Sequence, residues 1–179
     1  KWFTGAQLSY AHHVFRNAMP AQPAIIYQNE TSVMVEISWQ QLIAKTHVIQ
    51  QQLKTLGVVK GNVVVCYGIN SPETVAAFLA TNALGAVWSS CSPDFGADAV
   101  CERFAQLAPK VLFAHQQYSY GGKAFDIKAK IKSISDSIGS IQNTLLLDNH
   151  LSFDDAPVAI NQIHFESVSF SDPIWVLFS

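Results

Sequence analysis

A pair of glycines followed by a lysine is the sequence's clearest candidate for phosphate binding. Gly121 and Gly122 could present backbone N–H groups to an anion, and Lys123 would add a positive charge beside them. The same residues are also common in ordinary turns, because glycine accepts turn conformations without steric cost. Spacing alone therefore leaves a phosphate site and a plain turn as alternatives.

Self-contained catalytic motifs are absent from the sequence. It has no dinucleotide-binding Gly-x-Gly-x-x-Gly, no Gly-x-x-x-x-Gly-Lys-Ser/Thr phosphate loop, no Gly-x-Ser-x-Gly and no His-Glu-x-x-His. Asp154 and Asp155 are paired only by adjacency in a polar stretch, which favours a solvated turn over an acid–base pair. The histidines are scattered without metal-ligand spacing, so no metal site is predicted.

Composition excludes several classes of partner. The net charge is −2 and charged residues make up 13% of the chain, about half the usual ~25%. No long basic run indicates nucleic acid, and no apolar run approaches the ~18 residues of a membrane helix. Three cysteines without Cys-x-x-Cys spacing fit core residues in a reducing, cytoplasmic setting. A chain this poor in charge is expected to bury surface against further protein, either more of its own chain or another copy.

Apolar runs alternate with helical patterns through the middle of the chain. Runs at residues 63–67, 86–89 and 110–114 predict strands, and the segments 71–84 and 97–107 between them predict helices. Connections this short favour a parallel sheet with helices on its faces, an α/β doubly wound fold. A loop of Ser, Pro, Asp and Gly follows the middle strand and would lie at a carboxyl end of the sheet, where such folds bind ligands.

Other elements surround this unit. Residues 24–28 and 32–37 predict a hairpin, residues 38–56 a capped helix, residues 115–123 a loop, and residues 127–138 and 143–148 a further helix and strand. We expect residues 1–22 to form an amino-terminal arm and residues 23–179 an incomplete α/β domain. The chain starts at Lys1 and closes on an apolar run, residues 173–178, which predicts a buried strand. These features predict a fragment of a longer protein.

Particular strings in the sequence resemble a known family. Asn-Ser-Pro-Glu-Thr-Val-Ala-Ala (residues 70–77) is similar to the adenylate-forming acyl-CoA synthetases. The strings Trp-Ser-Ser-Cys-Ser-Pro-Asp-Phe-Gly (residues 88–96), Pro-Lys-Val-Leu-Phe (residues 109–113) and Tyr-Gly-Gly-Lys (residues 120–123) are most similar to the acetoacetyl-CoA synthetases within them. The likeness runs through nearly the whole chain.

The resemblance implies a reaction in two steps. A carboxylate such as acetoacetate, a short 3-oxo acid, attacks the α-phosphate of ATP with Mg²⁺ to give an acyl-adenylate and pyrophosphate. The thiol of coenzyme A (CoA) then displaces AMP. In the family, the loop that holds the ATP phosphates follows an apolar strand like residues 175–178, so Ser179 would be its first residue. The fragment alone is therefore expected to be inactive and to have no catalytic residue of its own.

The resemblance also places two loops, residues 92–96 and residues 120–123, beside the nucleotide end of CoA. Lys123 keeps a charge suited to a phosphate, whereas Tyr120 replaces an arginine of acetyl-CoA synthetases and offers a ring for stacking. Asp94 replaces a glycine, and its carboxylate disfavours a nearby phosphate. The expected CoA-side residues are Asp94, Phe95, Tyr120, Gly121, Gly122 and Lys123.

Two other functions stay open on the sequence alone. One is an acetyl- or propionyl-CoA synthetase, although acetyl-CoA synthetases resemble the chain more loosely and carry Gly-Gly-Phe in place of residues 93–95. A non-catalytic, stand-alone α/β binding or assembly module would keep the fold without the chemistry.

Overall fold

The predicted alternation of strands and helices is present in the computed structural model, which describes residues 2–30, 32–148 and 158–178. Its central unit consists of β4 (Val63–Tyr67), α3 (Pro72–Ala83), β5 (Val87–Cys91), α4 (Ala97–Ala105) and β6 (Val111–Ala114). Helix α5 (Lys128–Ser137) and strand β9 (Asn143–Leu146) follow, and β11 (Trp175–Val176) is the last strand. The α/β class predicted from the sequence is confirmed.

These strands form a five-stranded sheet in the order β11-β5-β4-β6-β9, and each neighbouring pair is parallel. The chain passes from β4 to β5 on one side and then crosses to β6 on the other side of β4. The strand order therefore reverses at β4, which makes its carboxyl end the switch point where doubly wound sheets bind ligands.

Alternating side chains of β4 supply two separate cores. Val64 and Cys66 join a cluster with α3 and with α2 (Trp39–Thr55), whereas Val65 and Tyr67 join a cluster with α4 and α5. Successive side chains of a strand point to opposite faces, so a continuous apolar run is needed where helices cover both. Helix α3 packs closely because its small residues Ala76, Ala77, Ala80 and Ala83 are all fully buried.

Both helices of the first cluster begin at the predicted serines. The Ser71 hydroxyl accepts a hydrogen bond from the Thr74 N–H, and Pro72 occupies the first turn. Ser38 and Gln41 form the reciprocal capping box at the start of α2. Val75 of α3 is 39% exposed, whereas the small residues of that helix are buried.

The amino-terminal residues and a hairpin pack around this body. Strand β1 (Gln7–Leu8) pairs with β10 (Val168–Ser169), and α1 (Tyr10–Phe15) inserts Ala11 and Phe15 into the first core. Strands β2 (Ile25–Tyr27) and β3 (Val35–Ile37) form the predicted antiparallel hairpin. A short 3₁₀ turn, Ile160–Gln162, precedes β10.

Two predictions were wrong. Residues 117–126 form a hairpin of β7 (Gln117–Tyr120) and β8 (Lys123–Asp126) instead of a loop. Gly121 and Gly122 both have positive φ, which a two-residue hairpin turn requires and glycine readily adopts. The last strand, β11, is not buried: it lies at the sheet edge, with Trp175 43% and Leu177 75% exposed.

Candidate functional site

A cavity of about 460 Å³ opens at the carboxyl ends of β4 and β5, where the strand order reverses. We call this cavity the crevice. Its walls come from the segment after β4, the segment after β5 and the β7–β8 hairpin. The lining residues are Cys66, Gly68, Ile69, Asn70, Thr74, Ser90, Cys91, Ser92, Pro93, Asp94, Tyr118, Ser119 and Tyr120. Hydroxyl, amide and aromatic groups predominate, which suits a polar ligand that carries a ring.

The loop of residues 92–96 is held in place by hydrogen bonds from a buried tyrosine. The Tyr67 hydroxyl lies 2.8 Å from the carbonyl oxygen of Pro93 and 2.8 Å from that of Phe95. Its single proton can be shared between them. Burial, with Tyr118 and Asp94 nearby, raises the pKa of Tyr67 to about 12, so the hydroxyl stays a donor at neutral pH. The loop's conformation thus depends on a buried residue of β4.

Two cationic side chains contact Phe95. The Arg103 guanidinium carbon lies 4.9 Å from the centre of the Phe95 ring, and the Lys130 ammonium lies 3.4 Å from the Phe95 carbonyl oxygen. The Arg103 side chain thus covers this ring. A guanidinium over an aromatic face is attracted by the negative potential of the ring.

The β7–β8 hairpin forms the opposite wall. Tyr118 stacks on Phe125 with ring centres 4.9 Å apart, which orders the hairpin, and Tyr120 is 72% exposed beside the crevice. At the tip, the Gly121 and Gly122 N–H groups donate to the two carboxylate oxygens of Glu30 at 3.2 and 3.1 Å. Lys123 follows the turn and is exposed at the start of β8.

Two polar residues, His115 and Ser71, lie next to residues that line the crevice. His115, 4% exposed, has its Nε2 3.3 Å from the Ser71 hydroxyl, and burial lowers its pKa although Asp148 and Glu73 oppose the change. Among the described residues its Nδ1 has no hydrogen-bond partner. The adjacent thiol of Cys66 is fully buried, and its pKa is raised to about 12, so it is not a nucleophile at neutral pH.

The structure thus brings Asp94 and Tyr120 to one cavity, with Gly121, Gly122 and Lys123 at the neighbouring hairpin tip, whereas Phe95 is turned toward Arg103. Sequence reasoning missed Tyr67 and Glu30. Tyr67 looked like a core residue of an apolar strand. Glu30 lies 91 residues before Gly121, and no motif links the two.

Some expected residues cannot be placed. Ser179, Asp154 and Asp155 lie outside the described residues. Within the described ranges, no group of three or more His, Cys, Asp or Glu side chains could hold a metal ion. No helix in that part of the chain combines the length and apolar character needed to cross a membrane.

The fold and the crevice at its switch point agree with the family relationship. The AMP-binding enzyme family matches residues 13–178, and the chain belongs to that family.

Particular relatives within it are acetoacetyl-CoA synthetases. The chain is 32% identical to acetoacetyl-coenzyme A synthetase of Rhizobium meliloti and 30% identical to acetoacetyl-CoA synthetase of Mus musculus, over all of its own length. It covers 29% and 30% of those two proteins, so it spans about 30% of the length of these curated relatives. The structure of acetoacetyl-CoA synthetase from Streptomyces lividans superposes with a TM-score of 0.90 at 35% identity, over 100% of this chain and 29% of that one.

Proposed function

We propose that this chain is the amino-terminal region of an acetoacetyl-CoA synthetase-like ligase. The reaction of the whole enzyme would convert acetoacetate, ATP and CoA to acetoacetyl-CoA, AMP and pyrophosphate through an acyl-adenylate. The observation that supports the proposal is the match of all of this chain to about 30% of acetoacetyl-CoA synthetases, with a TM-score of 0.90 for one solved structure. The partner of this region would be the remainder of its own chain. The division into an arm, residues 1–22, and a domain, residues 23–179, belongs to the same proposal.

We propose the crevice as the part of the site that faces the nucleotide end of CoA. The residues present fit such a group, because the Gly121–Gly122 turn already holds an anion, the carboxylate of Glu30, on two N–H groups. Tyr120 would stack on a ring, and Lys123 would pair with a phosphate. Asp94 repels phosphate but can accept hydrogen bonds from hydroxyl or amino groups, which suits a ribose or a base.

ATP and Mg²⁺ would be held elsewhere in the enzyme. The described residues include no cluster of three or more His, Cys, Asp or Glu side chains that could hold a metal, and Ser179, the proposed start of the ATP phosphate loop, lies outside them. The 179-residue chain would therefore position CoA but would not form the acyl-adenylate.

The test compares ligands on the purified chain. We expect calorimetry or NMR titration to show weak CoA binding without ATP binding, and we expect no acetoacetate-dependent pyrophosphate release. Absence of CoA binding would favour a stand-alone α/β module, and pyrophosphate release would show that the chain is catalytic by itself. A longer chain that activates acetate or propionate in preference to acetoacetate would contradict the substrate assignment.

A further inference from the structure

Glu30 occupies an anion site at the tip of a distant hairpin. It lies at the turn between β2 and β3, and its carboxylate accepts one hydrogen bond at each oxygen, from Gly121 and from Gly122. Consecutive backbone N–H groups that converge on one anion form a concave site of the type that binds phosphate. We call this contact the Glu30 latch.

The latch can open without disturbing a core. Glu30, Gly121 and Gly122 are exposed, and a Cβ atom at either glycine would meet nothing within 4 Å. The carboxylate is therefore held by hydrogen bonds without surrounding side-chain packing at the turn. Hydrogen bonds in such a position are weak in net terms, because water competes for donors and acceptor alike.

A second cavity lies beside the crevice, between the two hairpins that the latch joins. This cavity, of about 410 Å³, has Tyr27, Gln28 and Asn29 of the first hairpin on one side and residues 117–119 of the second hairpin on the other. It adjoins the crevice, because Ile69, Asn70, Tyr118 and Ser119 line both. We expect the joined tips to restrict movement of the wall that carries Tyr118 and Tyr120.

We propose that the Glu30 carboxylate competes with a phosphate group of the ligand for the N–H groups of Gly121 and Gly122. The phosphate binds the Gly121 and Gly122 N–H groups after the Glu30 carboxylate has left them, and the tips of the two hairpins then separate. Lys123, next to the turn, favours the phosphate because it offers a charge to a doubly charged group. The identity of the ligand as CoA rests on the proposed function, whereas the competition requires only a phosphate.

The expected size of the effect follows from the occupancy of the latch. If the carboxylate occupies the turn for roughly 80–90% of the time, its removal lowers the apparent Kd about fivefold to tenfold. The measurement is a titration of the ¹⁵N-labelled chain with inorganic phosphate and, separately, with CoA, followed at the Gly121 and Gly122 amides. Wild type is compared with Glu30→Ala and with Glu36→Ala. Glu36 is an exposed residue of the same hairpin, so its removal makes the same change in net charge.

We expect Glu30→Ala to bind both probes several-fold more tightly than wild type and Glu36→Ala. Tighter phosphate binding without any CoA binding would support the competition and contradict the proposed CoA site. Equal CoA affinities in wild type and Glu30→Ala would overturn the competition and leave the CoA site intact. An equal gain in both variants would overturn it too, because it would reflect net charge alone. No response of the Gly121 and Gly122 amides to phosphate in Glu30→Ala would also overturn it.

Discussion

The hydroxyl of Tyr67 provides the sharpest test of how the crevice is built. Tyr67→Phe removes one oxygen atom from a fully buried side chain and leaves the ring in place. The carbonyl oxygens of Pro93 and Phe95, each 2.8 Å from that hydroxyl, lose their shared donor. We expect the protein to become less stable and the loop of residues 92–96 to become more mobile.

The magnitude follows from the burial of these bonds. An ordinary hydrogen bond contributes about 0.5–1.5 kcal/mol net, and a buried carbonyl left unpaired costs about 1–3 kcal/mol. Because the single proton serves one acceptor at a time, the contributions do not add. We expect the free energy of unfolding to fall by about 1–2 kcal/mol, which for a domain of this size lowers Tm by roughly 2–8 °C.

The assay is urea denaturation of both proteins, with Tyr27→Phe as the matched control. The Tyr27 hydroxyl accepts one hydrogen bond, from Asn29 in an exposed position, so its loss should cost less than about 0.5 kcal/mol. The pH provides a second measurement. The folded pKa of Tyr67 is about 12 against an ordinary value of 10.0, so its stabilising effect is complete below pH 10 and is lost between pH 10 and 12. The difference between wild type and Tyr67→Phe should narrow over that range. Equal losses in the two variants, or a difference that does not change with pH, would refute the reasoning.

Three further predictions concern Gly68, which lines the crevice, and its neighbours His115 and Ser71. Gly68→Ala places a Cβ 2.3 Å from His115 Nδ1, so we expect urea denaturation to show a free energy of unfolding lower by about 1–3 kcal/mol. The control Gly139→Ala, with open space around the new Cβ, should be nearly neutral. Equal effects of the two substitutions would contradict this packing. Because burial lowers the pKa of His115, its stabilising effect is complete above about pH 6.5 and is lost as the pH falls below that value. His115→Gln should therefore make the free energy of unfolding depend less on pH on the acid side. An unchanged pH dependence would contradict the burial of a neutral imidazole. Ser71→Ala removes the cap of α3 and should cost about 1 kcal/mol, with Ser71→Gly costing less; the opposite order would contradict the capping role.

The central unit could be predicted from the sequence because local and long-range preferences agree there. Ser71 and Pro72 mark the start of α3 by their own chemistry, and the uninterrupted apolar run of β4 requires cover on both faces. The position of the ligand crevice follows from topology once the parallel order is accepted. These inferences needed no knowledge of contacts between distant residues.

The β7–β8 hairpin and the edge position of β11 could not be read in the same way. Gly121 and Gly122 fit a two-residue hairpin turn, but the flanking residues are polar enough to resemble a loop, and the stacking of Tyr118 on Phe125 becomes evident only in three dimensions. The apolar composition of residues 173–178 predicts burial, yet β11 pairs only with β5 in the described sheet. An apolar composition predicts that a strand is buried, but it does not identify the protein surface that covers the strand.

The charged and polar groups around the crevice favour one orientation of a bound ligand. At one end, Asp94 places a carboxylate beside residues held by Tyr67. At the neighbouring hairpin tip, the N–H groups of Gly121 and Gly122 and the ammonium of Lys123 favour an anion, and the two N–H groups already hold the Glu30 carboxylate. A ligand with a phosphate at one end and hydroxyl or amino groups at the other is thus favoured in a single orientation. Asp94→Asn should weaken this preference for one orientation, because it removes the repulsion between the carboxylate and a phosphate. Inorganic phosphate alone should then bind more tightly. A ligand that donates hydrogen bonds to Asp94 should bind more weakly. Parallel titrations of wild type and Asp94→Asn with inorganic phosphate and CoA measure that difference, and a gain for both probes would contradict a hydrogen-bonding role for Asp94.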